Sequence, residues 1–573
     1  MGLSNAFDKS ALSAASVLHG FDYERFRSKV SALSIGIAFD KDAASRQEGR
    51  TTLELLTNLL ARQYGTLRFE VSMDGHAEVA AIARYLTNLA REINPLIDAR
   101  AMSEDAQGHR ERIDVRLAIG SMCFVDTVPT IYVGSNRWEF GVSVHAPINS
   151  GTGENPFGAA AAACLGAAAL FRMVFAQELA RGEPGGDGST DAPSTAAADV
   201  ITRVSDPPVR ISLLSMAHAG GEPEHQPPID EGPIAIDETY LVGVGAIGNA
   251  ATWVLGRTPR LTGTLHLVDH EVVEPTNLQR YLLTSATDVG HLKVDVATVY
   301  LNVTAREKSP ALVVSAHART WSEVAAASPD RLFPRVLLAL DSAEARIGVQ
   351  GSLPAWVANA WTQPGNLGVS RHPSFTRGAC IACLYGSAGA RKSKDMVYFD
   401  ALGGRDLPEL MEIRELLHSR RAVGEAFLRR TAERLGVPFE PLAKFAGEPL
   451  ESFYHDALCG GIVLRLGGAS SAKAIEVPLP FQSALAGVML AAELVLDAMR
   501  ARSAPLPCRT EIDLLRPIAP NLNVPAAKSA SGFCICQDAV YLKTYGRKYS
   551  ELVAGSDSLD REQAGFVASA PSV

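Results

Sequence analysis

The feature that most constrains this chain is an apolar run that opens into three glycines at fixed spacing. The segment YLVGVG at 240–245 reads as a buried strand; Gly243, Gly245 and Gly248 complete G-x-G-x-x-G, and a small-residue helix follows. A second apolar strand, TLHLVDH at 264–270, contains Asp269, 26 residues beyond Gly243. A β-α-β unit accounts for this order, because glycines let the backbone approach phosphates at a helix N-terminus and an acid ending the next strand accepts from ribose hydroxyls. The second half of the chain is therefore expected to bind a nucleotide on an α/β fold. On the glycines and the acid alone, a nicotinamide dehydrogenase fits equally well.

At 573 residues the chain exceeds a single core and fits two to four domains of about 150 residues. Charged residues make up 20% and apolar residues 47%, as in ordinary globular α/β proteins. A net charge of −9 and the lack of a Lys/Arg block argue against a nucleic-acid partner. The start MGLSNAFDKS lacks the apolar core of a secretory signal, and the longest apolar stretches are interrupted near Arg172 and Glu493, so no membrane partner and a cytoplasmic location are expected. Eight cysteines are few for this length; in a reducing compartment a close pair points to metal or sulfur chemistry.

The first third also reads as α/β, with strands at 31–40, 67–73, 113–119 and 130–146, but carries no glycine-rich phosphate loop. Gly/Pro-rich stretches at 182–200 and 219–234 read as linkers, the later one marking the boundary. An internal echo joins the halves: the segments at 155–175 and 478–496 both run from a proline into a small-residue helix. If the echo is real, the chain is a fused pseudo-dimer in which one half kept the chemistry.

A polar series separates adenylation from redox chemistry. It comprises DHEVVEPTNLQRY at 269–281, Lys293 in VGHLKVDVA, and LLALDSAEAR at 337–346. A carboxylate attacking the α-phosphate of ATP brings two anions together, so cations must be fixed in advance. The chain resembles the ThiF/MoeB/HesA and ubiquitin-activating-enzyme superfamily, which has Asp, then Asn-Leu-x-Arg, then Lys, then Asp with Arg five residues on. Here these are Asp269, Asn277, Leu278, Gln279, Arg280, Lys293, Asp341 and Arg346, with Thr276 and Ser342 departing from the usual neighbours. The resemblance implies that Gly243, Gly245, Gly248, Asp269, Asn277, Gln279, Arg280, Lys293 and Asp341 bind ATP. Arg280 and Lys293 would neutralise phosphates, Asn277 orient them, and Asp341 hold Mg2+. It implies a Rossmann-like ThiF adenylation domain with a parallel-rich sheet, preceded by a diverged α/β domain that is adenylation-like but inactive.

Cys380 and Cys383, with Cys534 and Cys536 near the C-terminus, are candidate ligands of a structural Zn2+; four thiolates close a tetrahedral shell, although the second pair has one intervening residue instead of two. Buried unmetallated thiols are the alternative. Cys459, in HDALCGGIVL, lies where relatives carry a crossover loop above ATP and is the candidate thioester nucleophile, with His455 nearby; a small buried residue at a Gly-Gly turn is its alternative. Cys123, Cys164 and Cys508 look more ordinary. Residues 390–457 read as a helical insert near the crossover loop.

The expected organisation is 1–235 for the diverged domain, 236–389 for the ATP-binding domain, 390–457 for the insert and 458–520 for the rest of the adenylation domain. A zinc-ligand tail at 521–550 and a flexible 551–573 follow. This layout resembles bacterial activating enzymes of ubiquitin-like conjugation operons linked to phage defence. The implied partners are a ubiquitin-like protein, whose C-terminal glycine is adenylated and passed to Cys459, and an E2-like conjugating enzyme. A sulfur-carrier or small-molecule adenylyltransferase without a thioester relay is the nearest rival, and a nucleotide-binding scaffold a further one. A homodimer and a monomer both fit, and Arg46, Arg50 and Arg62 are equal candidates to reach from the first half into the site.

Overall fold

The computed structural model describes residues 11, 13–18, 21–71, 77–102, 111–180, 208–219, 226–386, 394–459, 463 and 477–550. Among them are two eight-stranded sheets. In the first, β1 (Ile35–Phe39), β2 (Thr66–Val71), β3 (Asp98–Ala101), β4 (Val115–Ile119), β5 (Thr130–Asn136), β6 (Glu139–Ser143), β7 (Val209–Ser212) and β8 (Ala217–His218) lie in the order 3-2-1-4-5-6-7-8. The second contains β9 (Ile234–Val242), β10 (Leu261–Val268), β11 (Leu312–His317), β12 (Arg335–Leu338), β13 (Trp356–Thr362), β14 (Leu367–His372), β15 (Arg509–Ile512) and β16 (Asn523–Val524). Its order, 11-10-9-12-13-14-15-16, repeats the first strand for strand.

The strand directions repeat as well. In both sheets five strands run parallel and three more are added antiparallel. The β-branched and leucine-rich runs of β1, β4 and β12 are buried on both faces, as parallel strands covered by helices must be. The stretch at 130–146, read as strand, resolves into the β5–β6 hairpin, turned by Arg137 at φ 54°.

Helices α1 (Gln47–Ala61) and α2 (Ala77–Ile93) cross between the first strands, and α3 (Pro156–Val174) links β6 to β7. Their counterparts are α4 (Ala246–Leu255), α5 (Lys293–Lys308) and, between β14 and β15, α7 (Pro480–Ala498), while α6 (Ala343–Gly351) follows β12. The proline-led echo in the sequence thus occupies equivalent places in the two sheets. Helices α3 and α7 are long and apolar enough to cross a membrane, but here they are almost wholly buried. Both pack on their own sheets and on each other, so alanine and glycine dominate where backbones come close: a Cβ on Gly487 would lie 2.3 Å from Ile247 O in α4.

Polar clamps cross the junction. Buried Glu493 on α7 pairs with Arg371 and Arg502 at 2.7 and 2.6 Å, and Arg502 donates to the carbonyls of Leu213 and Leu214 in the first half. Asn523 donates to the carbonyls of Ser215 and Met216, and Arg257 pairs with Glu54. The segment read as an insert is helical, with Lys394–Ala401, Leu407–Ser419, Glu425–Leu435 and shorter turns. After β16 the described residues run through α8 (Ala539–Lys548), which docks through Tyr545 onto Ala355 O, while Tyr549 just beyond it reaches Leu353 O. The expected linker at 182–200 and tail at 551–573 lie outside the described residues.

Candidate nucleotide and metal sites

Strands β9, β10 and β12 end at one cleft of about 1240 Å³, whose lining includes Gly243, Gly245, Asp269, Arg280, Lys293 and Asp341. Parallel α/β sheets gather ligands at the carboxyl ends of their strands, and this cleft sits there. The three glycines have different tasks. Gly243 takes φ +93° and a Cβ on it would lie 2.6 Å from Ala339 O; Gly248 is excluded from bearing a side chain by Gly243 O at 2.1 Å. Gly245, the N-cap of α4, makes no side-chain cap bond and a Cβ there would meet only Tyr281 Oη, at 3.5 Å, so the helix N-terminus faces the cleft.

Asp269 locks the glycine loop to the next strand: one carboxylate oxygen accepts from Val244 N at 2.7 Å and the other from Glu271 N at 2.9 Å. Lys293 opens α5, where a cation opposes the helix dipole; its ammonium pairs with Glu271 and lies 5.3 Å from the centre of the Tyr281 ring. Burial alone would lower its pKa, but Tyr281 and the carboxylates of Glu271 and Asp269 outweigh this and hold it above the ordinary lysine range. Arg280 also faces the cleft, and one of its guanidinium nitrogens, Nη1, is buried without a hydrogen-bond partner. Burial draws its pKa below the ordinary arginine range, with Tyr281 and Glu274 opposing; the group remains a cation. Asp341 is exposed to the cleft, and Ser342 beside it caps α6 through Ala345 N at 3.1 Å. Arg346 pins the Asp341 loop through Leu340 O and Ala360 O.

Three residues expected at the nucleotide do not line the cleft, Gly248 among them because it packs against Gly243 O. Gln279 is fully buried and donates from Nε2 to Ser13 Oγ at 3.3 Å, since the turn that aims Arg280 at the cleft aims its predecessor into the core. Asn277 accepts Glu274 N at 2.9 Å and shapes the 274–278 turn. Lining residues that the sequence reading left out are Glu271, Tyr281, Arg319 and Trp321. Tyr281 directly follows Arg280, and the last two follow β11, a strand end where a ligand-facing residue could have been sought. Cys459 ends the wide-turned helix Tyr454–Cys459; its side chain and that of His455 lie outside the described residues. Arg46 and Arg50 bond within the first half, to Ser150 O and Asp42 and to Ala44 O and Glu78, and neither lines the cleft.

The first sheet carries an acid at the strand end equivalent to the glycine loop. Phe39 pairs with Ile119 as Val242 pairs with Leu338, so Asp40 stands where Gly243 stands. Its carboxylate accepts from Ala43 N at 2.8 Å, Ser121 N at 2.6 Å and Ser121 Oγ at 2.7 Å. The strand–helix turn after β1 is thus capped by a side-chain anion.

Away from the cleft, the Sγ atoms of Cys380, Cys383, Cys534 and Cys536 all lie within 4.8 Å of one another, with separations of 3.9, 3.5 and 3.4 Å among the bonded pairs. Thiolates at about 2.3 Å from a tetrahedral ion are roughly 3.8 Å apart, so the four cysteines fit Zn2+. The x1 spacing of the second pair is accommodated because Cys534 and Cys536 lie in an irregular loop before α8.

Residues 236–515 match the model of the ThiF family. This part of the chain belongs to the ThiF family. ThiF-family enzymes are ATP-dependent adenylyltransferases, and the redox alternative is set aside. Residues 38–176 match a model described as prokaryotic E2 family C. Over 554 residues the chain is 39% identical to the uncharacterized protein y4jF of Sinorhizobium fredii, covering 96% of this chain and 98% of that one. It is 29% identical over 161 residues to the adenylyltransferase and sulfurtransferase UBA4 of Meyerozyma guilliermondii, about a third of that protein at 36% and 27% of this chain. Among solved structures, Escherichia coli MccB with MccA-N7isoASN is similar at 16% identity and a TM-score of 0.32, over 52% of this chain and 67% of that one.

Proposed function

We propose that this ThiF-family chain adenylates the C-terminal glycine of a ubiquitin-like protein, forms a thioester with it on Cys459, and hands it to a conjugating enzyme in the cytoplasm, in bacterial antiphage defence. What carries the adenylation step is the unpartnered Arg280 nitrogen beside Lys293 and Asp341 in one cleft at an uncapped helix N-terminus. The substrate carboxylate attacks the α-phosphorus of ATP; its oxygen bonds to phosphorus as the bond to the bridging oxygen breaks and pyrophosphate leaves. Arg280 and Lys293 neutralise the charge that builds, and the α4 N-terminus supplies backbone donors. Asp341 would hold Mg2+, which shields the departing pyrophosphate. Asp269 orients the ribose while bracing the glycine loop. The four-cysteine cluster holds a structural Zn2+, and the first half acts as a catalytically silent scaffold, consistent with the Asp40 carboxylate at its strand–helix turn.

The match of residues 38–176 to an E2 family favours a second reading, in which the acyl group is accepted within the same chain. Among the described residues of that span Cys123 is exposed, whereas Cys164 is fully buried. An adenylyltransferase with no thioester is the remaining alternative. Pyrophosphate release from ATP with a ubiquitin-like partner, followed by a non-reducing gel, separates these for wild type, Cys459→Ala and Cys123→Ala. Loss of a thiol-sensitive adduct in Cys459→Ala with pyrophosphate release intact supports the relay; loss in Cys123→Ala alone moves the acceptor to the first half; no adduct in wild type removes the thioester.

A further inference from the structure

We propose that Arg62, on the silent first half, is a positioning residue for adenylation in the second half, holding the loop that presents Arg280; the proposal rests on the cleft being the adenylation site. Arg62 directly follows α1 and crosses the junction. Its guanidinium donates to Leu278 O, to Thr284 O at 2.9 Å and to Leu282 O at 3.4 Å, while its Nε donates to Asn58 Oδ1 at 2.9 Å. Asn58 in turn donates from Nδ2 to Leu282 O at 3.0 Å. Three backbone carbonyls spread over seven residues, 278–284, thus converge on one planar fork.

Between those carbonyls lie two residues that face the nucleotide cleft, Arg280 and Tyr281. Arg280 lines it with its buried Nη1 unpartnered, and Tyr281 sets its hydroxyl beside Gly245 and its ring beside Lys293. The same loop is tied at Leu283 N to Asn249 Oδ1, at 3.2 Å, and at Gln279 to Ser13. Every acceptor that Arg62 meets is neutral. Burying a guanidinium without an anion is costly, and burial lowers its pKa to about 9 against the opposing charge of Asp288. An arginine is suited to this place because its rigid fork reaches several carbonyls at once, which the single ammonium of lysine cannot do. With Arg62 truncated, the carbonyls of Leu278 and Thr284 lose its donors, Leu282 O keeps only Asn58, and the cation at the front loses its fixed position.

The test compares Arg62→Ala, Arg62→Lys, Arg280→Ala and the double variant in full-length protein, reading pyrophosphate release against ATP concentration and amide hydrogen exchange. Displacing a catalytic cation by about 1 Å costs about 100-fold, so Arg62→Ala is expected to lower kcat by about that factor with KM for ATP changed less than about threefold. Arg62→Lys recovers part of the loss. In the Arg280→Ala background, removing Arg62 adds no further loss, because both act through one cation. Exchange rises at amides 280–284 and stays unchanged in β9, β12 and α7. Multiplying effects of the two variants, an unchanged kcat in Arg62→Ala, or exchange rising throughout the chain each overturn the positioning role. Wild type releasing no pyrophosphate, while Arg62→Ala still loosens 280–284, overturns the adenylation reading and the catalytic part of this one together.

Discussion

At the scale of single residues, the cleft shows how side chains with similar surroundings take different parts. Glu271 neutralises Lys293 when no nucleotide competes, and the ammonium can exchange that partner for a phosphate without leaving the helix N-terminus. Lys293→Ala is expected to lower pyrophosphate release by about 100-fold or more, as removal of a preorganised charge does in comparable sites; a loss under threefold would argue that the lysine only braces the loop. The glycines make a sharper comparison. Gly248→Ala forces a Cβ to 2.1 Å from Gly243 O, which cannot move without unwinding the loop, so the melting temperature falls by an amount equivalent to about 1–3 kcal/mol. Gly245→Ala meets nothing closer than 3.5 Å and projects toward the cleft, so its Tm holds while KM for ATP rises, a contrast that calorimetry and kinetics on the two variants check directly.

At the scale of elements, equivalent positions in the two sheets carry opposite chemistry. The turn after β9 ends in an uncapped helix, whereas the turn after β1 is capped by Asp40. Titration calorimetry is therefore expected to give one ATP per chain, and Asp40→Ala should cost about 1 kcal/mol of stability without adding a second site. Helix α7 carries a second electrostatic device in Glu493. Burial would raise its pKa, but Arg371 and Arg502 lower it to about 2, from an ordinary value of 4.5. A carboxylate depressed in this way contributes stability that is complete above pH 4.5 and is lost as the pH falls through about 2. Wild-type Tm should drop across that window, with a shallower slope in Glu493→Gln. At neutral pH the variant leaves two arginines without their counter-charge and should be less stable by about 3–5 kcal/mol. Equal acid slopes for the two proteins would show that Glu493 is not the group responsible.

At the scale of the whole molecule, two sheets of one topology face each other through α3 and α7 within a single chain. Arginines following equivalent helices cross the junction in both directions, Arg257 to Glu54 and Arg62 to the 278–284 loop. The cysteine cluster ties α8 and the loop before it to the end of the second sheet. Zinc removal by a chelator, or Cys380→Ser, should abolish one equivalent of zinc per chain by elemental analysis and lower Tm, since metal binding energy is folding energy for so small a unit. Protein that purifies without zinc and melts at the same temperature after substitution would leave the four thiols as plain core.

The sequence by itself determined the β-α-β unit, the assignment of Asp269, Arg280, Lys293 and Asp341 to one site, the repeated proline-led helix and the four cysteines. Each of these is a local spacing rule: glycines for a strained turn, an acid at a strand end, a proline at a helix start, thiols in close pairs. Tertiary structure alone decided that Gln279 turns inward to Ser13, that Asn277 serves its own turn, that Asp40 caps the strand–helix turn after β1, and which of Arg46, Arg50 and Arg62 crosses the junction. The direction in which a side chain leaves a loop depends on what packs behind that loop, and for 278–284 the backing is α1, more than two hundred residues earlier in the chain. No spacing within the motif records that neighbour.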